Sequence, residues 1–242
     1  MSDKWLTGTV VENRHWTDNL FSLRVEGAHL SFEAGQFVRI ALDINRERVA
    51  RAFSFVNPPQ DPVLEFYGVI VPEGPLSPRL AKLGAGASLH IAANPAGFLT
   101  LSEVPDAETL WLIATGTGLA PFVSILRTEA PWRRFRNVVL LHAVRYASEL
   151  TYQEVIRQTR VRYVTFVSRE QAPDSLAGRI PAAIGDGRLE QAAGLKLAAE
   201  TSHVMLCGNP QMLKDATAAL IARGMRKHRR RASGHITVES FW

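Results

Sequence analysis

A single cysteine, Cys207, stands in this chain of 242 residues. That excludes an internal disulfide and an iron–sulfur cluster held by several thiolates, and it suits a reducing compartment. The seven histidines are scattered, with no metal-ligand spacing. No apolar run is long enough to span a bilayer, and Met1-Ser2-Asp3-Lys4-Trp5 lacks the apolar stretch of a signal peptide. A cytoplasmic protein that does not use a membrane is therefore expected. Repeats and low-complexity segments are also missing. What is present is an ordinary globular composition, 46% hydrophobic and 21% charged, with length for two domains. The formal net charge of +5 favours acidic partners or phosphorylated ligands.

The first hundred residues read as short strands. Phe21, Leu23 and Val25 alternate, and residues 35–42 do so less regularly. Further candidates are 52–56, 64–71 and 88–93, separated by turns rich in Pro, Gly, Asn and Asp. This spacing predicts an antiparallel barrel or sandwich. After about Val104-Pro105 the pattern changes. Residues 110–114, 138–141, 161–167 and 204–207 are near-continuous apolar runs with helical segments between them. Such runs are buried on both faces, which predicts a parallel sheet in an α/β domain. The boundary is expected near 101–106, giving units of 1–103 and 104–242.

Several short segments carry ligand-binding chemistry. Arg51-Ala52-Phe53-Ser54 places a cation and a ring on one face of a strand, with a hydroxyl on the other. Gly74-Pro75-Leu76-Ser77-Pro78-Arg79 reads as a helix start with Ser77 as N-cap and Gly84 as the stop, either an ordinary short helix or a phosphate site. Gly116-Thr117-Gly118-Leu119-Ala120-Pro121 follows a buried strand and lacks the third glycine of the dinucleotide fingerprint. At the ends of the next two strands stand Val144-Arg145 and Ser168-Arg169, and Arg179 follows a loop. Arginines in place of a ribose-binding acid suit a 2′-phosphate, hence NADP over NAD, although each alone is an ordinary surface charge. Cys207-Gly208-Asn209-Pro210 ends the last buried strand, where Cys207 is either a core residue or a ligand contact, and Pro210 can open a helix. The terminal Phe241-Trp242 pair either fills core space or stacks on a cofactor ring.

Taken in order, these motifs resemble the ferredoxin–NADP reductase family, in the bacterial branch that serves ferredoxin and flavodoxin. The family pattern Arg-x-Tyr-Ser matches Arg51 to Ser54, with Phe53 in the Tyr position. Gly-x-x-Ser matches Gly74 to Ser77, Gly-Thr-Gly-x-Ala-Pro matches Gly116 to Pro121, and Cys-Gly-Asn-Pro matches Cys207 to Pro210. The aromatic ending matches Phe241-Trp242.

The resemblance implies an FAD-binding barrel followed by an NADP-binding domain. It implies hydride exchange between NADPH and flavin N5, and single-electron steps to ferredoxin or flavodoxin. Arg51 would bind the flavin phosphates, Phe53 would lie against the ring system, and Ser54 would sit near N5, with Ala52 among the cofactor-binding residues. Tyr67 would contact the flavin, and Leu76 and Ser77 would hold the pyrophosphate, with Pro75 also cofactor-binding. Thr117 would reach the FAD, and Trp242 would stack on its adenine with Phe241 nearby. Val144, Arg145, Ser168, Arg169 and Arg179 would bind NADP. Cys207, Gly208 and Glu239 would line the nicotinamide site, with Ser54, Cys207 and Glu239 as the catalytic set. A monomer is implied. An acidic carrier would meet Lys227 to Arg231 together with Arg133, Arg134 and Arg136, a cluster that otherwise reads as a solvated charge run. The alternative is an NADPH-dependent flavin or oxygenase reductase on the same plan. A nucleic-acid-binding role is disfavoured by the lack of interleaved aromatics in the basic run.

Overall fold

Short alternating segments dominate the first hundred residues because each buries one face only, and six of them pair into one sheet. The computed structural model describes residues 4–240. The strands are β1 (Trp5–His15), β2 (Leu20–Glu26), β3 (Phe37–Ile44), β4 (Glu47–Ser54), β5 (Leu64–Val69) and, after the one-turn helix α1 (Ser77–Leu80), β6 (Ser88–Ala92). Their order is β4-β3-β6-β1-β2-β5, and every pairing is antiparallel. The two edges meet at a bridge between Phe55 and Phe66, which closes the sheet towards a barrel. Val10, Phe21, Leu23, Val38, Ile40, Phe66 and Ile91 fill its interior.

The second half is α/β. It runs β7 (Thr109–Thr115), α2 (Ala120–Leu126), α3 (Ala130–Arg134), β8 (Asn137–Val144), α4 (Gln153–Arg157), β9 (Arg162–Val167), β10 (Ser175–Ala177), α5 (Ile180–Asp186), α6 (Arg188–Ala193), β11 (Ser202–Gly208), α7 (Pro210–Ala222) and β12 (Ile236–Ser240). The sheet order is β10-β9-β8-β7-β11-β12, all parallel. In β7, Leu110, Leu112 and Ala114 enter one core while Trp111 and Ile113 enter the other. This explains why its sequence is apolar throughout. Among the described residues no helix is long and apolar enough to cross a membrane.

The two sheets share a core: Leu20, Val56, Tyr67 and Leu99 pack with Leu112, Phe122 and Ile125. Polar bonds lock the seam. The Ser124 hydroxyl donates to the Asn57 carbonyl at 2.7 Å, and the Tyr152 hydroxyl donates to the Glu65 carboxylate at 2.8 Å. Arg127 reaches Asp61 at 3.6 Å and Glu65 at 3.5 Å. A buried seam of this kind fixes the relation between whatever each sheet holds.

Candidate active site

Strand order in the parallel sheet reverses between β7 and β11, and ligands in such sheets bind outside the carboxyl ends at that point. The turn after β7 is built for close approach. Gly116 has φ +52°, and a Cβ on Gly118 would lie 2.5 Å from the Cys207 carbonyl oxygen. Gly208, at φ +134°, lies so close to Thr115 that any side chain would collide with it. The Thr115 hydroxyl accepts from the Asn209 N–H at 2.9 Å, tying the two strand ends together. The Asn209 side chain then caps α7 by accepting from Gln211 and Met212, with Pro210 opening the helix as expected.

β12 brings Glu239 beside Cys207 in register. The barrel reaches the same place from the other side. Ser54 at the end of β4 pairs with Phe37, which also bridges to Ala96. The next residue, Gly97, has no side chain, and a Cβ there would meet the Glu239 carboxylate at 3.1 Å and the Phe37 ring at 3.0 Å. Ser54 and Glu239 are thus linked through Phe37 and Gly97. Both carry a buried oxygen, Ser54 Oγ and Glu239 Oε1, with no hydrogen-bond partner among the described residues. Burial pushes the Glu239 carboxyl up to about 7. Cys207 is fully buried, and burial with the nearby Glu239 charge pushes its thiol well up, so it stays protonated.

The barrel side carries the remaining predicted residues. Phe53 is half-buried and meets Phe66 edge-on at 6.5 Å, and its ring lies so close to Gly68 that a Cβ there would be 2.9 Å from it. Arg51 and Ala52 are exposed, and Arg51 donates to the Ala50 carbonyl at 2.7 Å. Two expectations for the next segment are corrected. Ser77 is not the N-cap; it is the first helical residue, and its hydroxyl accepts from the Val71 N–H at 2.9 Å. The helix ends at Leu80, not Gly84, because Asn13 and His15 of β1 take its terminal carbonyls. Leu76 points into the barrel core, so its side chain is not free for a ligand, while Pro75 is exposed and its carbonyl accepts from Arg79 at 2.7 Å. Tyr67 lies in the seam, its hydroxyl accepting from Thr151 at 3.0 Å and its ring edge-on to Tyr152.

At the far strand ends, Arg145, Ser168, Arg169 and Arg179 are all exposed. The Val144 carbonyl accepts from the Ser168 N–H and hydroxyl, and the Arg145 carbonyl accepts from the Arg169 N–H. These bonds hold Arg145 and Arg169 side by side. Thr117 sits in the one-turn 3-10 segment after Gly116, half-buried. Phe241 and Trp242 lie outside the described residues. Three arginines of the expected docking cluster have partners within the chain: Arg134 is held by the Leu101 and Val104 carbonyls, Arg136 pairs with Glu108, and Arg230 pairs with Glu103.

Sequence reasoning missed Phe37, Gly68 and Gly97. A glycine inside a strand is the signal that would have found Gly68, since it marks close approach. Gly97 sits in a loop and Phe37 looks like any core residue, so nothing local distinguished them. His142 was missed as well. It is wholly buried on β8, its Nδ1 lies 3.4 Å from the Tyr163 hydroxyl, and burial pushes it down to about 4.

The Oxidoreductase NAD-binding domain family matches residues 112–218. The chain is 51% identical over 245 aligned residues to the flavodoxin/ferredoxin–NADP reductase of Escherichia coli (strain K12), covering 98% of this chain and 99% of that one. This chain belongs to the flavodoxin/ferredoxin–NADP reductase family. The Shigella flexneri relative of the same name is likewise 51% identical, over 98% of this chain and 99% of that one. A crystal structure of a ferredoxin NADP+ reductase from Neisseria gonorrhoeae with bound FAD and NADP superposes with a TM-score of 0.95 at 31% identity, over the whole of both chains. Membership in the family explains why an antiparallel barrel and a parallel sheet share one seam.

Proposed function

We propose that this protein carries electrons between NADPH and a ferredoxin or flavodoxin through bound FAD, and that the residues converging on Ser54 and Glu239 form its reaction centre. The observation that carries this reading is the pair of buried, unpartnered oxygens at that point, one from each sheet. A buried polar group without a partner costs about 1–3 kcal/mol. Two such groups, one on each sheet and both next to Phe37 or to the Gly97 that Phe37 neighbours, fit a ligand that supplies the missing partners. The glycine-lined turn and the exposed arginines fit its phosphates. The residues present therefore suit both FAD and NADP.

The bound cofactors supply the redox chemistry, taking electrons as a pair from the nicotinamide and releasing them singly. The protein orients and tunes. In this proposal the units 1–103 and 104–242 carry FAD and NADP respectively. Arg51, with the backbone of Ala52, binds flavin phosphates, and Phe53 offers a ring to stack. Pro75, Leu76 and Ser77 contribute backbone to the pyrophosphate, Thr117 approaches from the other sheet, and Tyr67 stiffens the seam beneath. Phe241 and Trp242 complete the FAD site. Val144 and Ser168 shape the NADP site, where Arg145, Arg169 and Arg179 meet the 2′-phosphate. Gly208 lets the nicotinamide approach, and Cys207 packs against it as a neutral thiol. Ser54 gives or takes a hydrogen bond, and Glu239 holds or releases a proton at Oε1, since its carboxyl titrates near neutrality. A cytoplasmic monomer is part of the same reading.

Stopped-flow reduction of the bound flavin tests the coenzyme assignment. NADPH is expected to saturate at concentrations at least about a hundredfold below NADH, the scale of two lost charge-assisted contacts at about 1.5 kcal/mol each. Equal affinities and rates for the two would overturn it.

A further inference from the structure

Phe98 exposes 61% of its surface, more than any other large apolar side chain among the described residues. It is not a loose ring. The Arg230 guanidinium lies over it, 4.2 Å from the ring centroid. Arg230 is in turn held by both oxygens of Glu103, at 2.5 to 3.1 Å. Phe98 and Glu103 lie on the segment between β6 and β7, and Arg230 lies on the loop between α7 and β12, so the stack joins two distant parts of the chain. Its arginine is neutralised by Glu103 and holds the ring.

The surroundings are basic. Lys227, Arg229 and Arg231 are exposed on the loop that carries Arg230, and none has a carboxylate within salt-bridge distance among the described residues. Phe98 also directly follows Gly97, where a Cβ would crowd the Glu239 carboxylate and the Phe37 ring of the proposed reaction centre. A fixed apolar ring, held by a loop that carries three unpaired cations and one residue along the chain from Gly97, has the form of an interface hot spot. The ring's order before contact lowers the entropy lost on docking, and the charge steers a partner of opposite sign.

We propose that Phe98 is the apolar anchor on which an acidic one-electron carrier protein docks, with Arg230 and Glu103 holding its ring and Lys227, Arg229 and Arg231 supplying the attracting charge. This rests on the reductase reading above. It assigns Arg230 a positioning role and not a charge contact with the carrier.

The test uses the full-length, FAD-loaded protein with ferredoxin and with flavodoxin. Phe98→Ala is expected to raise the carrier Kd and KM about thirtyfold with kcat unchanged, the scale of one hot-spot side chain. NADPH-driven ferricyanide reduction and FAD content should stay at the native level. Phe98→Leu should recover most of the carrier affinity. The salt dependence of carrier binding should be unchanged in Phe98→Ala and flattened by charge reversal at Arg229 and Arg231. A carrier Kd within about twofold of native in Phe98→Ala overturns the anchor, since a hot spot costs more than that. Loss of FAD from Phe98→Ala also overturns it, because the ring would then belong to the cofactor site. If the native protein reduces neither carrier, the reductase reading falls and the anchor falls with it.

Discussion

Replacing Glu239 by Gln keeps the shape of the side chain and removes its proton equilibrium, so the effect of that equilibrium on folding can be isolated. Burial raises the carboxyl from the ordinary 4.5 to about 7 in the folded protein. Below pH 4.5 both folded and unfolded chains hold the proton, and the group contributes nothing to pH dependence. Between 4.5 and 7 the unfolded chain releases it while the folded chain keeps it, so stability falls as pH rises. Above 7 the penalty is complete. At about 1.4 kcal/mol per tenfold change, the interval corresponds to an upper bound of about 3 kcal/mol, and the partial exposure of the side chain reduces this to about 2 kcal/mol.

Other groups titrate in the same range. Burial holds His142 near 4 and His203 near 3, against an ordinary 6.5, so each adds stability as pH rises through that range. Their effect opposes that of Glu239 and can hide it in the native protein alone. It cancels in the difference between the native protein and Glu239→Gln. The assay is urea unfolding of the flavin-free forms of both proteins from pH 4 to 9. The variant should gain on the native protein by about 2 kcal/mol between pH 4.5 and 8, with the rise centred between 5 and 7. The unpaired amide shifts the whole difference curve by a constant but cannot give it a slope. A difference constant to within about 0.5 kcal/mol over that window would refute the buried-carboxyl argument, since it is the usual limit for an uncoupled substitution. In the FAD-loaded protein, the variant should also lose the pH dependence of flavin reduction near 7.

Gly118→Ala should cost about 3 kcal/mol, because its Cβ would lie 2.5 to 2.8 Å from the Cys207 and Gly208 backbone, which cannot rotate away. Gly84→Ala, where nothing lies within 4 Å, is the control; equal denaturation midpoints for the two would remove the packing argument. Phe53→Tyr should leave FAD bound and alter its affinity or potential modestly, by less than about tenfold in Kd, because stacking is kept and one hydroxyl is added. Fluorescence titration and potentiometry check this, and no change in either would show that the hydroxyl is irrelevant at this position.

Both sheets were legible because their burial patterns differ in kind. The runs at 110–114 and 204–207 are apolar throughout since both faces of the parallel sheet are covered, and the alternation at Phe21, Leu23 and Val25 reflects one covered face. β1 was not legible, although it lies inside the first sheet and pairs with both β2 and β6. Its register shifts between Val10 and Glu12, and Glu12, Asn13 and Arg14 follow in a row, so the alternation that runs from Thr7 to Val11 does not continue. Gly8 looks like a strand breaker, yet it is required: a Cβ there would lie 2.5 Å from Val25.

The site divides in the same way, and the division has a physical cause. Residues proposed to meet a ligand stand in short motifs, and so Arg51, Gly116, Arg145 and Cys207 could be singled out from local spacing. Residues that bring two motifs together act across long sequence separations. Phe37 links Ser54 to Gly97, and Gly97 admits Glu239, over a span of more than 140 residues that no local pattern records. The proposed docking residues follow the same rule. The run from Lys227 to Arg231 reads as five equivalent cations or near-cations, yet Arg230 alone meets Glu103 and Phe98, 127 residues away for the carboxylate. A charge that is neutralised at home cannot also attract a partner. Charge reversal along the run should therefore divide into two classes. At Lys227, Arg229 or Arg231 it should weaken steering in proportion to salt sensitivity, and at Arg230 it should free the Phe98 ring and weaken binding at every ionic strength.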